Sequence, residues 1–266
     1  MTLPAALADH GRLRWMPVSM GESGDLVYRR DDGRAFAKVV PESRSAELAG
    51  ERDRLAWLEG QGIARPKVLD WREAGNEVCL VMTAVPGVPA ADLPGTDLLE
   101  AWPSMVRELG ALHALSSGQC PFERSLSAIF ARAVDVVNRD AVNPDFLPDE
   151  DKRTPAPELL ARVERELPVR LAQEATSTVV CHGDPCLPNF MVDPHTLRCT
   201  GIIDLGRLGR ADRYADLALM VANAEESWQT PQQAEQAFAM LFDTLGLTAD
   251  RERLAFYLRL DPLTWG

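Results

Sequence analysis

Residues 178–206 read TVVCHGDPCLPNFMVDPHTLRCTGIIDLG. The first four residues have the character of a short strand, and it runs into His182-Gly183-Asp184. Gly183, Pro185 and Pro188 then impose an irregular loop, a place where a side chain is presented rather than buried. Two further strand-like runs follow at 189–192 and 199–204, joined by Asp193-Pro194-His195-Thr196. Paired as a hairpin, these runs put Asn189 at the opening of one strand and Asp204 at the close of the next. Both residues then lie beside the Asp184 loop.

Oxygen donors converging in this way suit Mg²⁺, a hard cation that takes few protein ligands and completes its shell with water and phosphate. Asp184 is left free to handle a proton. Either acid alone is as readily a turn cap or a strand end. The three residues together, at this spacing, point to chemistry.

A cation for the same site comes from upstream. Residues 25–30 (DLVYRR) and 34–40 (RAFAKVV) flank Asp31-Asp32-Gly33, a good hairpin turn because glycine tolerates positive φ. In the second run Phe36, Lys38 and Val40 share one face, so Lys38 points where the apolar side chains point. A lysine so placed snorkels to solvent unless it has a partner. In the helix expected over 45–60, Glu51 lies on the inward stripe with Leu48 and Leu55. Glu47, one turn earlier, is the other candidate. Such a pair would aim the ammonium at a phosphate, although taken alone it is more often a solvated surface couple.

Further strands are expected at 67–70 and 77–82. After Pro86-Gly87 the character changes to long amphipathic helices. Leu98, Trp102, Met105, Leu109 and Leu112 recur at helical spacing, as do Leu126, Ile129, Phe130, Ala133, Val134 and Val137, and then Leu160, Val163 and Leu167. A Pro- and acid-rich loop lies at 143–151. The expected architecture is α+β and two-lobed: a small β-rich lobe over 1–83, a hinge at 84–87, and a larger, mainly helical lobe over 88–266.

The 266 residues carry 40 acidic against 28 basic side chains, a formal charge of −12. That surface repels phosphate backbones and anionic lipid, so nucleic acid and membrane are poor partners and a cationic ligand is the better one. No run approaches the ~18–20 apolar residues of a membrane helix, and the N-terminus lacks the basic start of a secretion signal. The 5 cysteines are odd in number and show no CxxC spacing, as expected for reduced thiols in a cytoplasmic protein. A monomer or weak dimer is expected.

Taken in order, Lys38, Glu51, His182-Gly183-Asp184, Asn189 and Ile203-Asp204-Leu205-Gly206 resemble the motif set of the aminoglycoside phosphotransferases, relatives of the protein kinases. The resemblance covers almost the whole chain. It is strongest to the streptomycin 3''-phosphotransferases, in GESGDLVYRR (21–30), CHGDPCLPNFMVDP (181–194), DLGRLGRADRYADLALM (204–220) and LAFYLRLDPLTWG (254–266).

The resemblance implies a protein-kinase-like fold and transfer of the ATP γ-phosphate, with Mg²⁺, to the 3''-hydroxyl of streptomycin, giving antibiotic resistance. It implies that Asp184 accepts or orients the hydroxyl proton and that Asn189 and Asp204 hold Mg²⁺. Lys38 would contact the α- and β-phosphates, steadied by Glu51. Main-chain groups of 82–85, the Thr83 carbonyl and the Val85 amide, would bind adenine. Ser23 and nearby amides would meet the phosphates, although 21–25 (GESGD) departs from the protein-kinase G-x-G-x-x-G. A pocket for streptomycin's guanidinium groups should offer carboxylates: Asp261 and one of Glu225 or Glu226 foremost, with Asp149 on the 143–151 loop.

Other readings compete. A small-molecule alcohol kinase of the same fold, with a choline, homoserine or macrolide acceptor, shares the HGD and IDLG motifs. A silent nucleotide-binding domain would be expected to lack Lys38, Asp184, Asn189 or Asp204, and all four are present. A metal-dependent hydrolase built on His182, Asp184 and Asp204 leaves the Lys38–Glu51 pairing unexplained. Cys181 and Cys186 flank Asp184 but have no evident base, and read as core thiols. His113 reads as a satisfied core histidine and His182 as a brace for the loop. Asp212 reads as a helix cap and Asp216 as a tie between that helix and the loop.

Overall fold

The alternation along 35–41 has a separate partner on each of its faces in the computed structural model, which describes residues 3–8, 14–18 and 25–266. A one-turn helix α1 (Ala5–Ala8) precedes β1 (Trp15–Pro17), β2 (Leu26–Arg30), β3 (Ala35–Pro41), helix α2 (Ser45–Trp57), β4 (Val68–Ala74) and β5 (Glu77–Thr83). The five strands form an antiparallel sheet in the order β1-β2-β3-β5-β4. The β2–β3 hairpin turns as expected, with Gly33 at a φ of 70°.

Ala35, Ala37 and Val39 pack with Trp15, Tyr28, Cys79, Val81, Ala6 and Leu7 behind the sheet. Val40, with Phe36 packed alongside, faces the other way into a core shared with Leu48 and Leu55 of α2 and with the second lobe. α2 stops at Trp57, short of the expected residue 60, because Gly60 and Gly62 turn the chain at φ values of 77° and 79°. β4 runs longer than the expected 67–70, since pairing with β5 carries it to Ala74.

Beyond Thr83 the chain enters β6 (Val88–Pro89), which pairs with the second lobe. There follow α3 (Gly95–His113), α4 (Leu126–Asn138), α5 (Ala156–Glu174), β7 (Thr178–Cys181), β8 (Phe190–Asp193), β9 (Arg198–Ile202), β10 (Gly209–Asp212), α6 (Arg213–Ala224), α7 (Pro231–Leu245) and α8 (Arg251–Leu260). The α3 stripe Leu98, Trp102, Met105, Leu109 and Leu112 is buried as its spacing requires. On α4, Val136 is buried while Val134 and Phe130 are only partly covered. No helix among the described residues is long and apolar enough to cross a membrane.

The small sheets β7–β10 and β6–β8–β9 carry the 178–206 segment. Asp212 secures them to the helices. It caps α6 by accepting from the Tyr214 amide at 3.0 Å. Its carboxylate also accepts from Arg253 Nε at 2.7 Å, Tyr257 Oη at 2.8 Å and Ser177 Oγ at 3.1 Å. Asp212 and Arg253 are both buried, so removing one partner strands the other's charge. Asp212→Ala is therefore expected to lower unfolding stability by about 3–5 kcal/mol, read from urea denaturation. A loss below about 1 kcal/mol, the scale of an exposed pair, would remove this carboxylate from the fold's supports.

Candidate active site

β7 pairs antiparallel with β10, Cys181 opposite Gly209, so 182–184 emerge beside 205–208. The approach is close enough to require glycine. Gly183 has a φ of 87°, and a Cβ there would lie 2.3 Å from the Arg207 carbonyl oxygen.

The loop is held from below. Asp216 of α6 is fully buried and accepts from the amides of His182 at 2.7 Å and Gly183 at 2.9 Å. It also meets His113 Nε2 at 2.9 Å, which supplies the partner expected of that histidine. Burial works against ionisation of Asp216, but His113 and the Gly183 amide outweigh it and hold the carboxyl below its ordinary range. His182 braces the loop from the side. Its Nε2 donates to the Ile203 carbonyl at 3.0 Å, and its Nδ1 accepts from the Asp184 amide at 3.2 Å. Burial lowers the His182 pKa, which favours the neutral ring that this donor-and-acceptor arrangement needs.

Asn189 and Asp204 come together as the hairpin reading requires, though not as strand ends. Asn189 closes a 3₁₀ turn before β8, because Pro188 interrupts the strand. Asp204 lies two residues past β9 in the left-handed region, with a φ of 59°. The Ile203 amide donates to the Asn189 carbonyl at 2.9 Å and locks the two turns together. Asn189 Nδ2 donates to the Asp184 carbonyl at 2.9 Å and to its Oδ2 at 3.3 Å, which leaves the amide oxygen as the atom available to a cation.

Lys38 reaches this cluster from the other lobe. Its Nζ lies 3.0 and 2.9 Å from the two Glu51 oxygens and 2.8 Å from Asp204 Oδ1. Glu51 is the partner. Glu47 turns outward to Arg44 at 2.8 Å. Burial alone would lower the Lys38 pKa, but the two carboxylates raise it above that of an ordinary lysine. Burial opposes ionisation of Asp204 as well, and Lys38 overcomes it and holds the carboxyl low.

The Thr83 amide donates to the Lys67 carbonyl at 2.9 Å, while the Lys67 amide bonds the Thr83 hydroxyl, also at 2.9 Å, instead of its carbonyl. Val85 lies against Gly201 of β9, where a Cβ would meet the Ala64 carbonyl oxygen at 2.6 Å. The chain at 83–85 and the β8–β9 hairpin are thus packed against each other. Ser23 lies outside the described residues.

The candidate acceptor carboxylates are dispersed. Asp261 follows α8 and accepts from Trp265 Nε1 at 3.0 Å, with Arg207 Nη2 at 3.6 Å. Arg207 stacks 4.1 Å from the Trp265 ring and lies three residues past Asp204, so Asp261 is drawn toward the turn that carries Asp204. Glu225 and Glu226 sit on an exposed turn after α6, whose Asn223 accepts from the Leu187 amide at 2.7 Å. No hydrogen bond or ion pair among the described residues joins them to Asp184 or Asp261. Asp149 is 93% exposed and paired with Lys152 at 2.8 Å, while its neighbour Asp151 turns inward to Arg162 at 3.0 Å.

Sequence reasoning missed Arg124, whose Nη2 donates to the Gly183 carbonyl at 3.0 Å and whose pKa is lowered by burial to about 10. Arg124 sits in a short connection without periodicity, so no pattern marks it. The same reasoning missed Arg207 as well, which follows the IDLG run but carries no periodic or turn signal of its own. Cys181 is buried, its thiol donates to the Asp212 carbonyl at 3.4 Å, and burial pushes its pKa well up, so it is no nucleophile.

An ammonium fixed between two carboxylates, oxygen donors for a cation and a presented aspartate are the parts that phosphoryl transfer needs. A model of the phosphotransferase enzyme family (APH) matches residues 14–257. Streptomycin 3''-kinase of Streptomyces griseus is 51% identical over 252 residues, 95% of this chain and 93% of that protein. An aminoglycoside 3'-phosphotransferase of Streptomyces fradiae is 38% identical over 260 residues, 93% of this chain and 94% of that one. The aminoglycoside phosphotransferase APH(3'')-Id from Streptomyces rimosus, solved in complex with ADP and streptomycin, superposes with a TM-score of 0.92 at 48% identity, covering 98% of this chain and 97% of that one. With matches of this extent and a lysine–glutamate pair set across the cleft from the HGD loop, the chain belongs to the phosphotransferase enzyme family, among its aminoglycoside phosphotransferases of protein-kinase-like fold.

Proposed function

We propose that this chain transfers the γ-phosphate of ATP to the 3''-hydroxyl of streptomycin, in the presence of Mg²⁺, and so confers resistance to that antibiotic. The observation that carries the reading is the 51% identity, over 95% of the chain, to an enzyme named for this reaction. The cytoplasm, where ATP is available and thiols stay reduced, is its place of action.

Asp184, oriented by Asn189 Nδ2 and by its own amide bond to His182, accepts or orients the proton of the acceptor hydroxyl. Lys38 meets the α- and β-phosphates, and Glu51 keeps it aimed. The Asn189 amide oxygen and the Asp204 carboxylate form an all-oxygen donor set that fits Mg²⁺. When bound there, Mg²⁺ neutralises charge on the nucleotide phosphates. Adenine is taken by the Thr83 carbonyl and the Val85 amide, and Ser23 adds a phosphate contact.

The protein's work is then positioning and charge stabilisation, and transfer is direct and in line. The net charge of −12 favours approach of a cationic acceptor. Asp261 beside Trp265 is the leading carboxylate for a guanidinium, with Glu225, Glu226 and Asp149 on the approach.

Mass spectrometry of streptomycin incubated with protein, ATP and Mg²⁺ is expected to show one added phosphate, located by fragmentation on the N-methylglucosamine ring. Kanamycin and choline are expected to stay unmodified, and phosphorylation of either in place of streptomycin would move the assignment to another acceptor. Asp184→Asn is expected to lower kcat by about 10²–10⁴-fold with ADP affinity within about twofold of wild type. Retained turnover would take the proton from Asp184's care. Asp204→Ala is expected to abolish the Mg²⁺-dependent part of ADP binding in calorimetry, and an unchanged Mg²⁺ dependence would place the ion elsewhere.

A further inference from the structure

Helix α2 belongs to the first lobe by chain order, yet its C-terminal half is fastened to the second. No side chain caps its start. Its inward stripe is Leu48, Glu51 and Leu55, so the carboxylate that grips Lys38 moves with the helix as one body. Arg54, three residues on from Glu51, reaches the segment that follows Asp204. Its Nε donates to the Leu208 carbonyl at 2.7 Å, and its Nη1 donates to the Gly50 carbonyl at 2.8 Å. The guanidinium lies 4.6 Å from the centre of the Phe122 ring, and Phe122 meets Trp57 edge-on with centroids 6.0 Å apart.

The connectivity of these contacts is specific. Arg54 ties the helix that carries Glu51 to the segment that carries Asp204, and Lys38 sits between those two carboxylates. No carboxylate pairs with Arg54 among the described residues. Its planar donors serve main-chain carbonyls, a use that fixes geometry more than charge.

We propose that Arg54 is a positioning residue, holding α2 against the segment after Asp204 so that Glu51 and Asp204 keep their spacing around Lys38. This inference rests on the kinase reading of the site.

The test reads nucleotide affinity apart from acceptor chemistry. Arg54→Met keeps the stem packed on Phe122 and removes both donors, while Arg54→Gln retains one donor for Leu208. R54M is expected to weaken Mg²⁺–ADP binding and raise the KM for ATP about tenfold, with the KM for streptomycin within about twofold of wild type. R54Q is expected to recover most of the loss. Because Arg54 acts through Glu51, Glu51→Gln is expected to cost less in the R54M background than in wild type. Unchanged nucleotide affinity in folded R54M, an equal loss for both substrates, or strictly additive effects with E51Q would overturn the role. Arg54→Lys keeps a cation without the planar fork and is expected to shift affinity in the same direction. It decides the matter if R54M does not fold, and wild-type nucleotide affinity in R54K then overturns the proposal. A wild-type protein that binds no Mg²⁺–ADP would overturn the kinase reading itself, whereas binding that is indifferent to Arg54 removes only the anchor.

Discussion

Lys38 Nζ lies 2.9 Å from Glu51 and 2.8 Å from Asp204, and the three side chains come from a strand of one lobe, the helix after it and a turn of the other lobe. Lys38 and Glu51, with only 15% and 7% of their side chains exposed, lose hydration that their mutual contact restores. The contact therefore constrains much else. β3 must turn Phe36, Lys38 and Val40 toward the cleft, α2 must present Glu51 there, and the chain at 204 must take a left-handed turn. A slip of one residue in β3 would carry Lys38 to the opposite face, among Ala35, Ala37 and Val39.

On the second lobe the corresponding constraint is the short loop 182–184. Asp216 accepts two successive main-chain amides, His182 bonds across to Ile203, and Arg124 takes the Gly183 carbonyl. The loop's main-chain groups thus find partners on α6, at Arg124 and at Asn189, with the Asp184 amide bonded to His182 inside the loop, so Asp184 is offered from a rigid base. That suits chemistry in which small displacements of the reacting groups are costly. The cluster around Asp261 is built differently. Asp261, Arg207 and Trp265 form a looser cluster, with the ion pair at 3.6 Å, next to the turn that carries Asp204.

Much of the fold was legible because it rests on period and on turn chemistry. The β2–β3 hairpin follows from Asp31-Asp32-Gly33 with alternation on either side, and α3 from five apolar residues at helical spacing. Element ends were less legible. α2 ends at Trp57 because glycines turn the chain there, and β4 extends to Ala74 because β5 pairs with it. Among the site residues, Lys38, Asp184, Asn189 and Asp204 stand out as polar residues at strand faces or loop positions that secondary structure does not itself require.

The one-dimensional pattern was sufficient for the two-lobed order of elements, for the face on which Lys38 lies and for the family resemblance carried by the HGD and IDLG segments. Local periodicity and glycine or proline chemistry act over a few residues, and those are written in the chain. Glu51 and Glu47 sit one turn apart, and packing of α2 against both lobes selects the former. Arg54, Arg124 and Arg207 find their partners 154, 59 and 57 residues away, with no periodic or turn signal to announce them. Their roles exist only once the chain has folded, because the Leu208 and Gly183 carbonyls that accept from Arg54 and Arg124, and the Thr264 hydroxyl that accepts from Arg207, reach them only in the tertiary structure.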